Sequence, residues 1–247
     1  MNKKIGYFAF LAVFVLIAGG CGTFFRKSVV IQDSGPTVKK EFQVSAFTKV
    51  QLKGGGIVNL IQGTTNSLVV EAPQSILDQL EAKVEGDKLV IDFKDKSIAF
   101  STNRDITFTI TFSTLDEFVL DGGAEIKADS LDLDRVKVTL NGGAKLDFVN
   151  LNANYLDLTI NGGAGVTIAG KVTEQTVQIS GAGAYMTSDM QSEIAKVELD
   201  GAGAAEVWVK TSLDAQLTGV GKISYWGNPD VKQVISGLGE IEHKGDK

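Results

Sequence analysis

Few residues in this chain are equipped for covalent or metal chemistry. Among 247 residues there is one His, His243, and one Cys, Cys21. A His-based triad or metal cluster needs partners of its own kind, so His243 reads as a surface residue. A lone thiol cannot staple a fold. Cleaving an acidic polysaccharide takes a basic residue beside clustered carboxylates, and Asp132, Asp134 and Arg135 come nearest to that. Alternating charges of this kind are ordinarily a solvated face. Asp121, Asn141 and Asn161 share a spacing and would attract a cation if stacked, but turn capping accounts for them more simply. No catalytic residue, metal or cofactor is expected. The remaining candidates are aromatic: Trp208 and Trp226, the only two Trp, with Tyr225. If the chain around them stacks, the indoles become outward neighbours, with Tyr225 beside Trp226 on the other face. Two exposed indoles suit a sugar ring or a partner surface. The plainer alternative is an aromatic ladder that stiffens the C-terminal part.

The elements that would carry these residues are written in glycine. The chain holds 28 Gly, well above the average of roughly 7%. Collagen is excluded, with only 3 Pro and no G-X-Y period. Disorder is excluded by a 43% hydrophobic content. The glycines recur as Asp121-Gly122-Gly123-Ala124, Asn141-Gly142-Gly143-Ala144, Asn161-Gly162-Gly163-Ala164, Ser180-Gly181-Ala182-Gly183, Asp200-Gly201-Ala202-Gly203, Thr218-Gly219-Val220-Gly221 and Ser236-Gly237-Leu238-Gly239. The first Gly recurs at intervals of 20, 20, 19, 20, 18 and 18. Two positions before it stand Leu120, Leu140, Ile160, Ile179, Leu199, Leu217 and Ile235, aliphatic throughout. Apolar residues two apart with polar ones between are the signature of a half-buried strand. Each repeat is therefore strand, tight Gly turn, strand. Asx and Ser/Thr residues start the turn, and Gly is expected to supply positive φ there.

Two all-β architectures fit. One is an antiparallel hairpin meander, since Asn-Gly is a strong hairpin signal. The other is a right-handed parallel β-helix in which each coil of about 20 residues stacks on the last. Constant period favours the solenoid, where like stacks on like. In it the aliphatic row becomes an internal ladder, and Glu125 and Lys145 become a cross-strand ion pair. Residues 41–115 are less regular. Strands are expected at 50–52, 56–61, 68–70 and 105–112, one helical turn at 75–80, and a hairpin over 81–93 around Gly86. They are read as larger, irregular coils of the same solenoid. Residues 41–247 thus form one β-helical domain, with regular repeats from 116.

The N-terminus is an address. Lys3 and Lys4 precede an apolar run over residues 5–17, then Ala18-Gly19-Gly20 and Cys21. This is the layout of a secretory signal, with an apolar run short of the roughly 20 residues a membrane span needs. It resembles a bacterial lipoprotein signal, with Ala18 standing where that pattern usually has Leu. The resemblance implies removal of residues 1–20 and acylation of Cys21, whose lipid chains anchor the protein in a membrane. Residues 21–40 then make a tether. The net charge of −6, with no basic stripe, argues against a nucleic-acid partner.

The segment Gly-Ile-Val-Asn-Leu-Ile-Gln-Gly (56–63) is followed by Ser75-Ile76-Leu77-Asp78 and Lys88-Leu89-Val90-Ile91. The Ser/Asp-Gly-Ala-Gly turns come next, then Tyr225-Trp226-Gly227-Asn228-Pro229 and the closing Ser236-Gly237-Leu238-Gly239. In that order over residues 42–242, they resemble the "putative auto-transporter adhesin, head GIN domain" family, a domain of unknown function common in Bacteroidota lipoproteins. The resemblance implies a parallel β-helix and no enzymatic activity. The expected protein is a lipid-anchored, non-catalytic binding, adhesion or structural module of the cell envelope, in the outer membrane of a Gram-negative bacterium. A glycan or another envelope protein is its expected partner, and exposed ends of the helix are expected to allow self-association. The competing class is a β-helical enzyme acting on polysaccharide.

Overall fold

A computed structural model describes residues 29–33, 35–95, 98–102 and 105–247. Residues 1–20, expected to be a signal, and Cys21 lie outside the described residues. Strands β1 (Val29–Asp33) and β2 (Thr37–Phe42) precede a long strand, β3 (Lys49–Gln62). An insertion follows, made of β4 (Ser67–Pro73), α1 (Gln74–Gln79), β5 (Leu80–Glu85), β6 (Lys88–Phe93), β7 (Ile98–Thr102) and β8 (Thr107–Phe112). From there the chain only winds. The winding runs through β9 (Glu117–Ala128), β10 (Leu131–Leu140), β11 (Gly143–Ile160), β12 (Gly163–Ile179) and β13 (Ala182–Leu199). It continues through β14 (Ala202–Leu217), β15 (Val220–Trp226), β16 (Asp230–Ile235) and β17 (Leu238–Gly245).

Every pairing among β9–β17 is parallel. A hairpin meander would set successive strands antiparallel, so the repeats form a β-solenoid of about 6 turns with coils about 20 residues apart. The aliphatic row is its inner ladder: Leu120 faces Leu140, then Ile160, Ile179, Leu199 and Leu217. These side chains are 0–1% exposed, and burial of each contributes about 1.5–3 kcal/mol.

The ladder begins one coil earlier than the repeats announce. Leu52, Gly54 and Gly55 of β3 sit in register with Leu120, Gly122 and Gly123 of β9, so Lys53-Gly54-Gly55-Gly56 is a further copy of the turn. The insertion separates that copy from the rest, which hides its period. The insertion also departs from the expected irregular coils. β2 pairs β4, β4 pairs β8 and β5 pairs β6, all antiparallel. The physical reason is local: Gly86, at φ 66, closes a two-residue hairpin turn between β5 and β6, and α1 carries the chain from β4 into β5, both of which run against β3. Ile76 and Leu77 of α1 are buried in the core, as are Leu68, Val70 and Leu80 around them. The two halves of β3 are thus covered by β6 and β8, with β5 and β4 beyond them.

The repeated glycines have a different cause from positive φ. Of the seven, only Gly122 lies at positive φ. What each lacks room for is a side chain. A Cβ on Gly142 would stand 1.9 Å from the Gly122 carbonyl oxygen, one on Gly162 2.2 Å from that of Gly142, and one on Gly181 2.1 Å from that of Gly162. At Gly201, Gly219 and Gly237 the corresponding distances are 2.0, 1.8 and 1.8 Å. Real Cβ atoms do not approach oxygen so closely. The corner residue must be glycine because each coil's backbone rests directly on the carbonyl of the coil before.

Candidate functional site

Outward-facing side chains stack as the backbone does. Asn141 donates to Asp121 at 2.8 Å and Asn161 to Asn141 at 2.8 Å, so this row caps itself along the stack. Asp121 also accepts from Gln51. Among the described residues no group of three or more His, Cys, Asp or Glu is placed to hold a metal. The Asp132, Asp134 and Arg135 constellation is likewise taken up by the next coil. Asn152 donates to Asp132, Asn154 donates to Asp134, and the Arg135 guanidinium lies 4.2 Å over the Tyr155 ring. Glu125 accepts from Lys145 and pairs with Lys127, and these two ammonium groups hold its carboxyl below the usual range. These are ladders between equivalent positions, and Arg135 and Tyr155 also line a cavity of about 300 Å³ with Lys137, Asp157 and Glu174.

Trp208 and Trp226 behave differently. They are directly paired in β14 and β15, both half-buried on the outer face. The Trp226 indole N–H donates to Glu206 at 2.6 Å, which fixes one edge of that ring. The next residue up the row is Gln191, because the register slips between Thr187 and Gln191 and leaves residues 188–190 bulged beside the indoles. Lys247 folds back onto this bulge. Its ammonium bonds the Ser188 carbonyl and the Asp189 carboxylate, and lies 5.6 Å from the Trp208 ring centre and 5.2 Å from that of Trp226. One cation thus spans both indoles, within the range of a cation–π contact. The result is a shallow aromatic platform walled by a backbone bulge.

Tyr225 is not part of that platform. It points to the core side, partly buried against it, and its ring stacks on His243 with centroids 4.9 Å apart and planes 13° from parallel. The His243 ring bonds the Gly227 carbonyl at 2.7 Å. His243 is exposed, as a surface reading requires, but it also closes the inner column at the last coil.

Beneath the platform lies a buried polar network. Tyr185 donates to Gln175 at 2.8 Å, Gln175 to Ser192 at 2.8 Å, and Ser192 to the Trp208 carbonyl at 2.9 Å. Thr187 donates to the Glu206 carbonyl at 2.9 Å. All four side chains are fully buried, and burial pushes the Tyr185 hydroxyl pKa up. The network holds the backbone that carries Glu206 and Trp208. Its one sequence trace is Tyr185 itself, in an inner column otherwise occupied by Ile126, Leu146, Val166 and Ala205.

A family model described as "putative auto-transporter adhesin, head GIN domain" matches residues 46–229. No curated protein matches the chain. Among solved structures, a "putative adhesin" from Bacteroides fragilis superposes with a TM-score of 0.83 at 22% identity, covering 86% of this chain and 99% of that one. A "putative lipid binding protein" from Parabacteroides distasonis gives 0.69 at 19% identity over 87% and 99%. A "putative adhesin" from the same species gives 0.65 at 20% over 87% and 99%. At these identities the likeness is one of fold.

Proposed function

We propose a function from one premise: the chain belongs to the "putative auto-transporter adhesin, head GIN domain" family. It acts as an exported binding module that carries out no chemistry of its own. Residues 1–20 direct export and are removed. Cys21 is acylated and anchors the protein in the outer membrane, residues 21–40 are the tether, and residues 41–247 form a single solenoid that holds a binding surface away from the lipid. The surface is the Trp208–Trp226 platform. The observation that carries this reading is the single Lys247 ammonium across both rings, which marks the two indoles as one continuous face. An aromatic face of that kind, rimmed by Glu206 and Asp189, suits a pyranose ring stacked on the indoles with its hydroxyls bonded at the edge. The family's adhesin description and the adhesin-named neighbours of like fold support the choice of a binder over an enzyme.

A glycan array probed with the purified chain tests this. Wild type is expected to retain a defined glycan set, and the Trp208→Ala/Trp226→Ala double variant to lose it. Equal binding by both proteins, or none by wild type, overturns the platform. Release of product from a uronic-acid polysaccharide would overturn the non-catalytic assignment. Radiolabelled palmitate incorporated into wild type and not into Cys21→Ser checks the anchor separately.

A further inference from the structure

The two ends of the solenoid are finished differently. At the N-terminal end the outermost strands are β2, with Lys39, Lys40 and Glu41 along it, and β5, with Glu81, Lys83 and Glu85, each antiparallel to its neighbour. Charged, antiparallel edges of this kind resist further pairing. At the C-terminal end, among the described residues, β16 pairs only β14 and β17 pairs only β15. Every residue of β16 is exposed. Ile235, the last rung of the inner ladder, is 46% exposed where the rungs before it are at most 1%, and Leu238 is 77% exposed. The last coil is built like its predecessors, and among the described residues no further layer covers it as each of them is covered.

We propose that this layer is the same coil of a second copy, the two chains joining tail to tail about a two-fold axis through the Gly237 corner. Such an axis exchanges the strands on either side of the corner, so β16 pairs antiparallel with β17 of the partner. It also keeps the sloping ends of the two windings at constant separation. Equal steps either side of Gly237 set the facing residues. On the core side Ile235 meets the partner's Gly239, Gln233 the partner's Ile241, and Val231 the partner's His243. On the outer side Lys232 meets the partner's Glu242, Asp230 meets the partner's Lys244, and Val234 meets the partner's Glu240. No like charges face each other, and symmetry repeats each opposite-charge pair twice. Lys232 already pairs with Asp214, and Glu242 with Lys222, so the contacts across the axis extend these pairs into alternating rows. Gly237 has no side chain to hold the two corners apart. Leu238 stacks above the exposed Val220 in the corner column, and the axis brings the partner's Leu238 alongside.

Because the other end is capped, this assembly closes at two copies instead of growing into a fibre. It places the two β2 edges at opposite ends of a double-length rod. If the anchor proposed above holds, chains on facing membranes could join in this way. The dimer itself does not depend on that reading.

Sedimentation equilibrium on the purified chain, without membranes, is the test. A reversible monomer–dimer equilibrium is expected, with no larger species. Lys232→Glu and Glu242→Lys each set like charges opposite one another and are expected to weaken the dimer at least about tenfold. The double swap Lys232→Glu/Glu242→Lys is expected to restore it. Ile235→Lys, at a site already open to solvent, is expected to give monomer with unchanged circular dichroism. A wild type that stays monomeric at all concentrations, open-ended polymers, or a double swap no better than its parents would overturn the proposal. Loss of acylation in Cys21→Ser would bear on the anchor alone.

Discussion

The coils over residues 117–179 and those over 182–245 share one inner ladder but turn the corner differently. In the first set the glycine pair is followed by Ala: Ala124, Ala144 and Ala164. In the second the residue after the corner Gly is Ala, Val or Leu, and the next is Gly: Gly183, Gly203, Gly221 and Gly239. A Cβ on Gly143 would have the Gly163 carbonyl oxygen no nearer than 4.0 Å, whereas one on Gly203 would meet that of Gly183 at 2.0 Å. The second set therefore carries two close backbone columns where the first carries one. The outer faces differ in step. The first set keeps intervals near 20, so identical positions stack and Asn, Asp, Lys and Glu spend their polar groups on one another. In the second the interval is 20 and then 18, the register slips around residues 188–190, and the indoles, the open end and all of the buried polar network but Gln175 occur there. Strict repetition makes scaffold, and departures from it leave side chains available for other contacts.

The largest test of that contrast is at the corner. Gly203→Ala forces a Cβ into a carbonyl and is expected to cost more than about 4 kcal/mol or abolish folding, while Gly143→Ala is expected to be near neutral. Urea midpoints of the two variants decide it, and equal losses would remove the distinction between the columns. Next comes the ladder. Leu140→Ala in the fully covered region is expected to cost about 2–5 kcal/mol, and Ile235→Ala at the open end less than about 1 kcal/mol. A large loss at Ile235 in the monomer would show that the end is covered by something else.

A smaller effect belongs to the buried network. Tyr185→Phe leaves the Gln175 carbonyl oxygen without its donor and is expected to cost about 1–3 kcal/mol. The same residue gives the region a pH signature. The folded state holds the Tyr185 proton above the usual pKa of about 10, whereas the unfolded chain releases it there. The stability from Tyr185 is thus fully present below pH 10 and lost as pH rises beyond it. Thermal melts of wild type should fall more steeply above pH 10 than those of Tyr185→Phe. The smallest effect is expected in the first set's exposed ladders. Lys145→Ala removes one of two cations beside Glu125 and should leave the melting temperature unchanged within error while raising the Glu125 pKa, as NMR titration can show.

The ladder, the corner glycines and the solenoid were legible because each is repeated, and a row such as Leu120, Leu140 and Ile160 leaves little freedom of interpretation. The Gly54 coil was not legible, since the insertion of β4–β8 between it and Gly122 removes the period that identifies a repeat. The cause of the glycines was also hidden. Sequence shows that Gly142 recurs, not that a neighbouring coil's carbonyl lies beneath it. At the platform, the pairing of Trp208 with Trp226 follows from their common offset after Gly201 and Gly219. The slip at residues 188–190 shows in sequence only as a spacing that changes from 20 to 18, which says that residues are displaced but not where. Lys247 carries no such mark at all, because its contacts with Ser188 and Asp189 arise from chain reversal at the end. Tyr225 precedes Trp226 by one residue and so falls on the opposite face of the strand, against the core and His243 and away from the indoles with which it is a candidate in sequence.

The parallel stacking has a mechanical consequence. The hydrogen bonds that join one coil to the next run along the rod. A pull applied between its two ends would load them one row at a time, peeling rather than shearing. Each row that yields would set free about 20 residues, or about 70 Å of slack at full extension. The remaining coils, which contact mainly their neighbours, would stay intact. Peeling would start at the C-terminal end, where no cap is present among the described residues, so the molecule would give way under tension in steps and rewind when the tension falls.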